Sequence, residues 1–342
     1  MKFPKFTFPE FNLSELHLSN LHLPNVIPDI HLLDNSHLNT IIPIYIAQKI
    51  NPKYIRERLN TLDNDFIDID WVNKEVIDKP TIVLFHGAEG NSKSHYARRL
   101  MYYVESIGWR GVVVHFRSCS EELNLTPRFY HAGETTDLHW VLESLKKRTP
   151  KEMFVAGVSL GGNALLKLLG EYEDISKLVK AAIAISVPFD LNICTQTLDQ
   201  GINKLLYAKS FLSTLIPKMQ QYAKKFKDFV SIDHQIETLA EFNELYICPA
   251  FDFKDSMEYY TKSSCLEYLA KIHTPTMIIQ AENDPMIPTS VWPKKNQLSK
   301  TIKFVSTKSG GHAGFIAQTK DLKEALMKLP RVMIEFYSQF ME

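Results

Sequence analysis

Three residues far apart in the chain have the types that acyl transfer needs: a serine, an acid and a histidine. Ser159 sits in "FVAGVSLGGNALL" (154–166), where an apolar run turns straight into glycines. Gly157-Val158-Ser159-Leu160-Gly161 fits the pattern G-x-S-x-G, which presents a nucleophile where it joins a strand to a helix. A serine on so sharp a corner holds its hydroxyl clear of the sheet at the cost of backbone strain. The flanking glycines leave room for strand and helix to approach, and the helix N-terminus adds free N–H groups and partial positive charge. Two other readings of a glycine-rich turn fail. The chain has no G-x-x-x-x-G-K-[ST] phosphate loop, and "GVSLGG" lacks the G-x-G-x-x-G spacing of a dinucleotide site.

A serine hydroxyl is a weak nucleophile without a base, and the base needs an orienting acid. Downstream, "IIQAENDPMIP" places Asp284 in the loop after one strand, and "FVSTKSGGHAGF" places His312 in the loop after the next. Both loops reach the sheet edge that carries Ser159, and the chain order serine, acid, histidine fits. Asp190 is a competing acid, and Asp252 and Asp255 fall in a separate insertion. An oxyanion hole needs two N–H donors. Leu160, directly after the serine, supplies one, and Ala88 in "LFHGAEGN" supplies the other. His86 reads as structural, hydrogen-bonded within its own loop, and is also carried as a candidate substrate contact.

These residues need a scaffold. "TIVLFH" (81–86), "GVVVHF" (111–116), "EMFVAGV" (152–158), "AAIAISV" (181–187), "TMIIQA" (276–281) and "TIKFVS" (301–306) are short β-rich apolar runs. Helix-compatible stretches at 93–107, 134–148 and 160–173 separate them. That alternation predicts an α/β fold with a mostly parallel sheet and helices on both faces. "DFIDIDWV" alternates like a half-buried strand, with Asp65, Asp68 and Asp70 expected on a solvated face, and residues 37–60 read as helix. About eighty residues between the fourth and fifth runs lack such a strand. Residues 202–230 read there as helix broken near Pro217, so the insertion reads as a helical cap over the C-terminal sheet edge, where open α/β sheets bind ligands. The expected organisation is an arm over 1–35, core over 36–190, cap over 191–270 and core again over 271–342.

The arm repeats five residues: FTFPE, FNLSE, LHLSN, LHLPN. Four short copies cannot bury a solenoid core. An extended segment draped on the domain or a partner subunit is the plain reading, and a membrane-surface or dimerisation arm is the sharper one. The 342 residues are 45% hydrophobic, and 39 basic residues balance 39 acidic ones, so nothing implies nucleic acid. The widely spaced Cys119, Cys194, Cys248 and Cys265 suggest neither zinc nor disulfides. Charges and prolines in "MKFPKFTFPEF" disfavour a signal peptide, and a soluble cytoplasmic protein is expected.

The chain resembles the YheT-like branch of the α/β hydrolases, related to the ABHD lipases. The resemblance runs from about residue 35 to near the C-terminus and rests on "HLNT", "DFIDIDW", "HGAEGNSKSHYARRL", "HFRSC", "PRFYHAGETTDLHWVL", "GVSLGGN", "FDFKDSMEYYTKSS", "AENDPMIP" and "GGHAGF". It implies an α/β-hydrolase fold with Ser159, Asp284 and His312 as triad. It also places Arg117, His131, Glu134 and Asp137 on further motif positions near the site, with Arg117 a candidate substrate contact. The family often has asparagine and glycine where this chain has His115 and Ser118, so the loop there is expected to differ. An H-x-x-x-x-D acyltransferase pattern is absent, because five residues separate His131 from Asp137.

The expected activity is a serine ester hydrolase of carboxylesterase or monoacylglycerol-lipase type, with no metal or organic cofactor. The resemblance implies short- to medium-chain esters. Aromatic residues in the insertion, among them Tyr207, Phe211, Tyr222, Phe229 and Tyr260, suit an apolar acyl group and equally suit ordinary core. Lys204, Lys209, Lys218, Lys224, Lys225 and Lys227 make a basic amphipathic stretch, read as a solvated face or as a peripheral membrane contact. The alternative is a catalytically silent hydrolase-fold protein that binds a lipid or a protein partner. Oligomeric state is open.

Overall fold

The computed structural model describes residues 35–226, 235–317, 319 and 321–341. The arm's repeats, and Lys227 and Phe229 of the insertion, lie outside the described residues. Eight strands form one sheet: β1 (Ile55–Asn60), β2 (Phe66–Val72), β3 (Thr81–Phe85), β4 (Arg110–Val114), β5 (Met153–Val158), β6 (Ala181–Ile185), β7 (Thr276–Ala281) and β8 (Ile302–Thr307). Their order is β1-β2-β4-β3-β5-β6-β7-β8. β2 runs antiparallel to both β1 and β4, and the other neighbours are parallel.

The central strands are apolar throughout because both faces are covered. Along β3, Val83 and Phe85 enter one core cluster while Ile82 and Leu84 enter the other. Helices α3 (Thr136–Lys146) and α4 (Leu160–Glu171) cover the first face. α2 (His95–Ser106) and the C-terminal α8 (Leu322–Ser338) cover the second. The first helix, α1 (Ser36–Ile46), starts on Asn35, whose side chain accepts the His37 and Leu38 amides.

β1 lies where helix was expected. α1 ends at Ile46, a short 3₁₀ turn covers Ala47–Lys49, and the chain then turns into the sheet edge. The missed strand explains a second correction. Asp65, Asp68 and Asp70 are buried, not solvated: β1 brings arginines over Asp68 and Asp70, and Asp65 is taken by Arg117, Asn124 and Thr126 from the chain after β4. Arg56 grips Asp70 with two bonds of 2.7 and 2.8 Å, and Arg58 grips Asp68 at the same distances. Asp70 also takes the Ser92 hydroxyl and meets His115 Nε2 at 2.9 Å. Burial opposes its charge, but Arg56 and His115 outweigh burial and hold the carboxyl well below the usual range.

Where it is described, the chain between β6 and β7 is mainly helical. It includes α5 (Leu191–Leu198), α6 (Lys209–Lys225) and α7 (Ser256–Ser263). The expected break at Pro217 does not occur, and α6 runs straight through that residue. One missing N–H is tolerated because Leu215, Met219 and Tyr222 anchor the helix in the core. The departure from α geometry comes earlier, in a π turn at Lys204–Ala208. All four cysteines are free and buried. Among the described residues no helix is long and apolar enough to cross a membrane.

Candidate active site

β5 ends at Val158, and α4 begins at Leu160. Ser159 is the single hinge residue, with φ +55°, a left-handed backbone that a serine adopts only when its surroundings enforce it. The enforcement is visible. The Ser159 amide donates to Ile185 O at 2.8 Å, and the Ser159 carbonyl accepts the Asn163 amide at 3.0 Å. Gly161 has no room for a side chain, since a Cβ there would lie 2.3 Å from His86 O.

Asp284 and His312 follow β7 and β8, as their places in the sequence imply. His312 Nε2 lies 2.8 Å from Ser159 Oγ, and its Nδ1 lies 2.9 Å from Asp284 Oδ2. The other Asp284 oxygen accepts the Met286 and Ile287 amides at 2.8 and 3.2 Å, which fixes the carboxylate. The histidine loop is pinned from three sides. Thr40 Oγ1 accepts the His312 amide, Ser186 Oγ accepts the Ala313 amide, and Asn283 Oδ1 accepts the Gly310 and Gly311 amides. The competing acids do other work. Asp190 and Asp255 cap the N-termini of α5 and α7, and Asp252 holds a left-handed turn with φ +56°.

The loop after β3 lies against the elbow. A Cβ on Gly87 would sit 3.2 Å from the Ser159 Cβ. The amides of this loop are nearly all taken. Gly87 N–H donates to Tyr96 Oη, Glu89 N–H to Tyr130 Oη, and Gly90 N–H to Gly87 O. Among the described residues no acceptor takes the N–H of Ala88 or of Leu160. Both residues line the same cavity as Ser159 and His312.

His86 does not reach that cavity. It is fully buried, its Nε2 accepts the Phe116 amide at 3.0 Å, and its Nδ1 faces Gly87 O at 2.7 Å. Nδ1 therefore carries the proton, and the ring ties the loop to the chain after β4. Burial, with the nearby His115, lowers its pKa to about 3, so the ring is neutral. Arg117 is corrected in the same way as a substrate contact. Its guanidinium is buried among Asp137, Asp65 and Asp63, at 2.7, 2.8 and 3.0 Å, and it does not line the cavity. Glu134 accepts the Asp137 amide at the start of α3. His131 does line the cavity, packed against Phe251, Phe253 and Tyr259. Burial lowers its pKa to about 3 as well.

The cavity encloses about 140 Å³ and opens to solvent at its mouth. Its floor is Ser159, Leu160 and His312, and its walls include Leu191, Phe211, Leu215, Phe242 and Ile247 from the helical insertion. Tyr207, Tyr222 and Tyr246, by contrast, are fully buried core and do not line it. Ser118 adopts φ +60°, and its hydroxyl meets Tyr222 Oη of α6 at 2.6 Å. A serine here thus gains a bond to the insertion that a glycine could not make.

Two contacts escaped the sequence reading. Thr40 sits 272 residues from His312, and no local pattern joins them. Lys218 was grouped with a solvated face, yet it is buried and pairs with Glu89 at 2.6 Å. A signal for it exists: Lys218 falls three residues after Leu215 and four before Tyr222, on the apolar stripe of α6.

Residues 80–318 match the family described as alpha/beta hydrolase fold. Over 293 residues the chain is 34% identical to the putative esterase YheT of Escherichia coli (strain K12), covering 83% of this chain and 85% of that one. It is 28% identical over 288 residues to phospholipase ABHD3 of Bos taurus, covering 81% and 70%. It is 27% identical over 252 residues to the monoacylglycerol lipase of Saccharomyces cerevisiae, covering 69% and 55%. The esterase Pf2001 of Pyrococcus furiosus shares the fold, with a TM-score of 0.55 at 14% identity over 85% of this chain and 92% of that one. An eight-stranded sheet with a strained serine at its central corner, and these matches over most of the chain, lead to one conclusion: the chain belongs to the α/β-hydrolase family, in its YheT-like branch.

Proposed function

We propose that the protein is a serine ester hydrolase, a carboxylesterase or monoacylglycerol-type lipase, that takes esters with an apolar, short- to medium-length acyl group. The observation that carries this reading is the unbroken hydrogen-bonded line from Asp284 through His312 to Ser159, opening into an apolar chamber. Ser159 Oγ attacks the ester carbonyl while His312 Nε2 takes its proton. The C–O bond to the alcohol then breaks as His312 returns that proton to the leaving oxygen, which leaves an acyl-serine. Water then attacks the acyl-serine while His312 takes its proton; the acyl C–Oγ bond breaks as His312 returns that proton to Ser159 Oγ, and the carboxylic acid departs. Asp284 fixes the imidazole tautomer and stabilises its cation. The Ala88 and Leu160 amides receive the oxyanion in both steps. The names of the relatives, two of them an esterase and a lipase, support ester substrates. The cavity's apolar walls support an acyl chain rather than a charged group.

The test pairs fluorophosphonate labelling with turnover of a p-nitrophenyl ester chain-length series, wild type beside Ser159→Ala. Labelling and turnover should both vanish in the variant, and the chain-length optimum should fall at short to medium acyl groups. Unlabelled, well-folded wild type that turns over no ester would sink the reading and favour the silent binding protein.

A further inference from the structure

We infer that Lys218, carried by the helical insertion, is a positioning residue that holds the oxyanion loop in its working shape through Glu89. This inference rests on the serine esterase reading above. Lys218 Nζ meets Glu89 Oε1 at 2.6 Å, and the two side chains are 7% and 3% exposed. The pair is therefore desolvated, not a rim contact. A buried pair of this kind contributes little net stability, but removing one partner strands the other. Such a pair is a poor device for stability and a good one for fixing where two segments sit.

The segments it joins matter for the chemistry. Glu89 directly follows Ala88, the amide left free for an oxyanion. Glu89 itself adopts φ +53°, a backbone state that its environment must impose. That environment is a closed ring of contacts. Tyr130 Oη accepts the Glu89 amide at 2.9 Å and donates to Glu89 Oε1 at 2.8 Å, while Lys218 donates to the same carboxylate oxygen. The lysine is further held over the faces of Phe129 and Tyr130, at 5.5 and 6.0 Å. Tyr130 and Phe129 both line the chamber, so the ring is part of the site's wall. Lys218 Nζ also lies 4.0 Å from Cys119 Sγ. Burial pushes that thiol up to about 12, so it stays uncharged and leaves Glu89 as the counter-ion.

Charge sharpens the argument. An unpaired carboxylate one residue from Ala88 would repel the oxyanion that the loop is meant to stabilise. Lys218 cancels that field and, through the carboxylate, sets the Glu89 backbone that orients the Ala88 N–H. The insertion and the oxyanion loop are thus one mechanical unit, with α6 seated also by the Ser118–Tyr222 bond and by Lys225 Nζ on Asn124 O at 2.6 Å.

The experiment is a double-mutant cycle on p-nitrophenyl butyrate, with kcat expressed per serine titrated by fluorophosphonate. The variants are Lys218→Met, Lys218→Arg, Glu89→Gln and the Glu89→Gln/Lys218→Met double. Lys218→Met should lose ~30-fold in kcat with KM within ~3-fold, somewhat less than the ~10²–10³ that one oxyanion donor is worth. Lys218→Arg should keep kcat within ~3-fold of wild type. The double variant should fall by less than the product of the singles, because the stranded charge is gone. Wild-type kcat per titrated serine in Lys218→Met, or strictly multiplicative effects across the cycle, would overturn the inference while leaving the esterase reading intact. Should Lys218→Met fail to fold, Lys218→Gln takes its place with the same expectations. Wild type that neither labels nor hydrolyses ester would instead remove the esterase reading on which the inference stands.

Discussion

Thr40 Oγ1 accepts the backbone N–H of His312 at 2.9 Å, and the same hydroxyl donates to Ser36 O one turn back in α1. The first helix of the described chain thereby reaches the histidine at the far end of the sheet. Thr40→Val keeps the shape and removes the acceptor. Stability should fall by about 1 kcal/mol, the usual worth of one hydrogen bond. The loop should also loosen, and kcat should drop ~10-fold with KM nearly unchanged, since misplacement of a reacting group costs rate more than binding. Steady-state kinetics beside a urea melt reads both, and an unaltered kcat would show that Gly310, Gly311 and Ala313 hold the loop without it.

Ser159, His312 and Asp284 should act as one unit. Ser159→Ala and His312→Ala are each expected to lower kcat by ~10³-fold or more, and the double variant no further than either single one. Asp284→Asn should cost less than Ser159→Ala, because the base remains but its tautomer is no longer enforced. Multiplicative losses would mean that the three side chains work separately.

His86 and His131 are both pressed down to about 3 by burial. An unfolded histidine titrates near ~6.5. Between these values the unfolded chain holds more protons than the folded one, so the stability these rings contribute is complete above pH ~6.5 and is lost as pH falls toward 3. Each ring should add a slope of up to about 1.4 kcal/mol per pH unit. His131→Gln keeps an acceptor for the Gly133 amide that His131 Nδ1 now receives. It should flatten the dependence of urea-unfolding free energy on pH between about 4 and 6 by up to one proton's worth. An unchanged slope would mean that His131 opens to water before it protonates.

Gly161→Ala should be poorly tolerated. Its Cβ would meet the carbonyl oxygens of His86 and Phe85 at 2.3 and 2.6 Å. These are backbone atoms of the loop after β3 and of the end of that strand, so neither can swing aside. A loss of about 2–4 kcal/mol and of most ester turnover is expected from the forced shift. A thermal melt within one degree of wild type would show that the elbow is softer than its contacts imply.

Much of the site was legible because it follows from chain order and strand ends. The six apolar runs mark strands by composition, and Ser159, Asp284 and His312 each come where a strand has just finished. What was not legible is where one segment's character depends on another. β1 reads "IRERLN", an edge strand whose charges look helical in isolation. Without β1, the acids of β2 look solvated, and with it they are half of a ladder of arginine pairs. Lys218 was misjudged for the same reason. A lysine among lysines suggests water, and only Glu89, 129 residues away, makes burial affordable. Arg117 was drawn to the substrate by resemblance, whereas three carboxylates hold it in the frame of the loop. Pro217 was read as a break because propensity counts the lost amide and not the packing of its neighbours.

The Lys218–Glu89 contact has a consequence for anyone wishing to retool this enzyme. The insertion between β6 and β7 looks like a detachable lid that could be transplanted from a relative to change which chains fit. Its salt partner, however, stays behind in the core. A transplanted lid without a cation at that turn would leave the Glu89 carboxylate abandoned in a dry pocket beside the reaction, and the chimera could bind the new ester well and still process it slowly. Successful lid exchange therefore means moving two distant sites together: the helix that brings the charge and the loop that answers it.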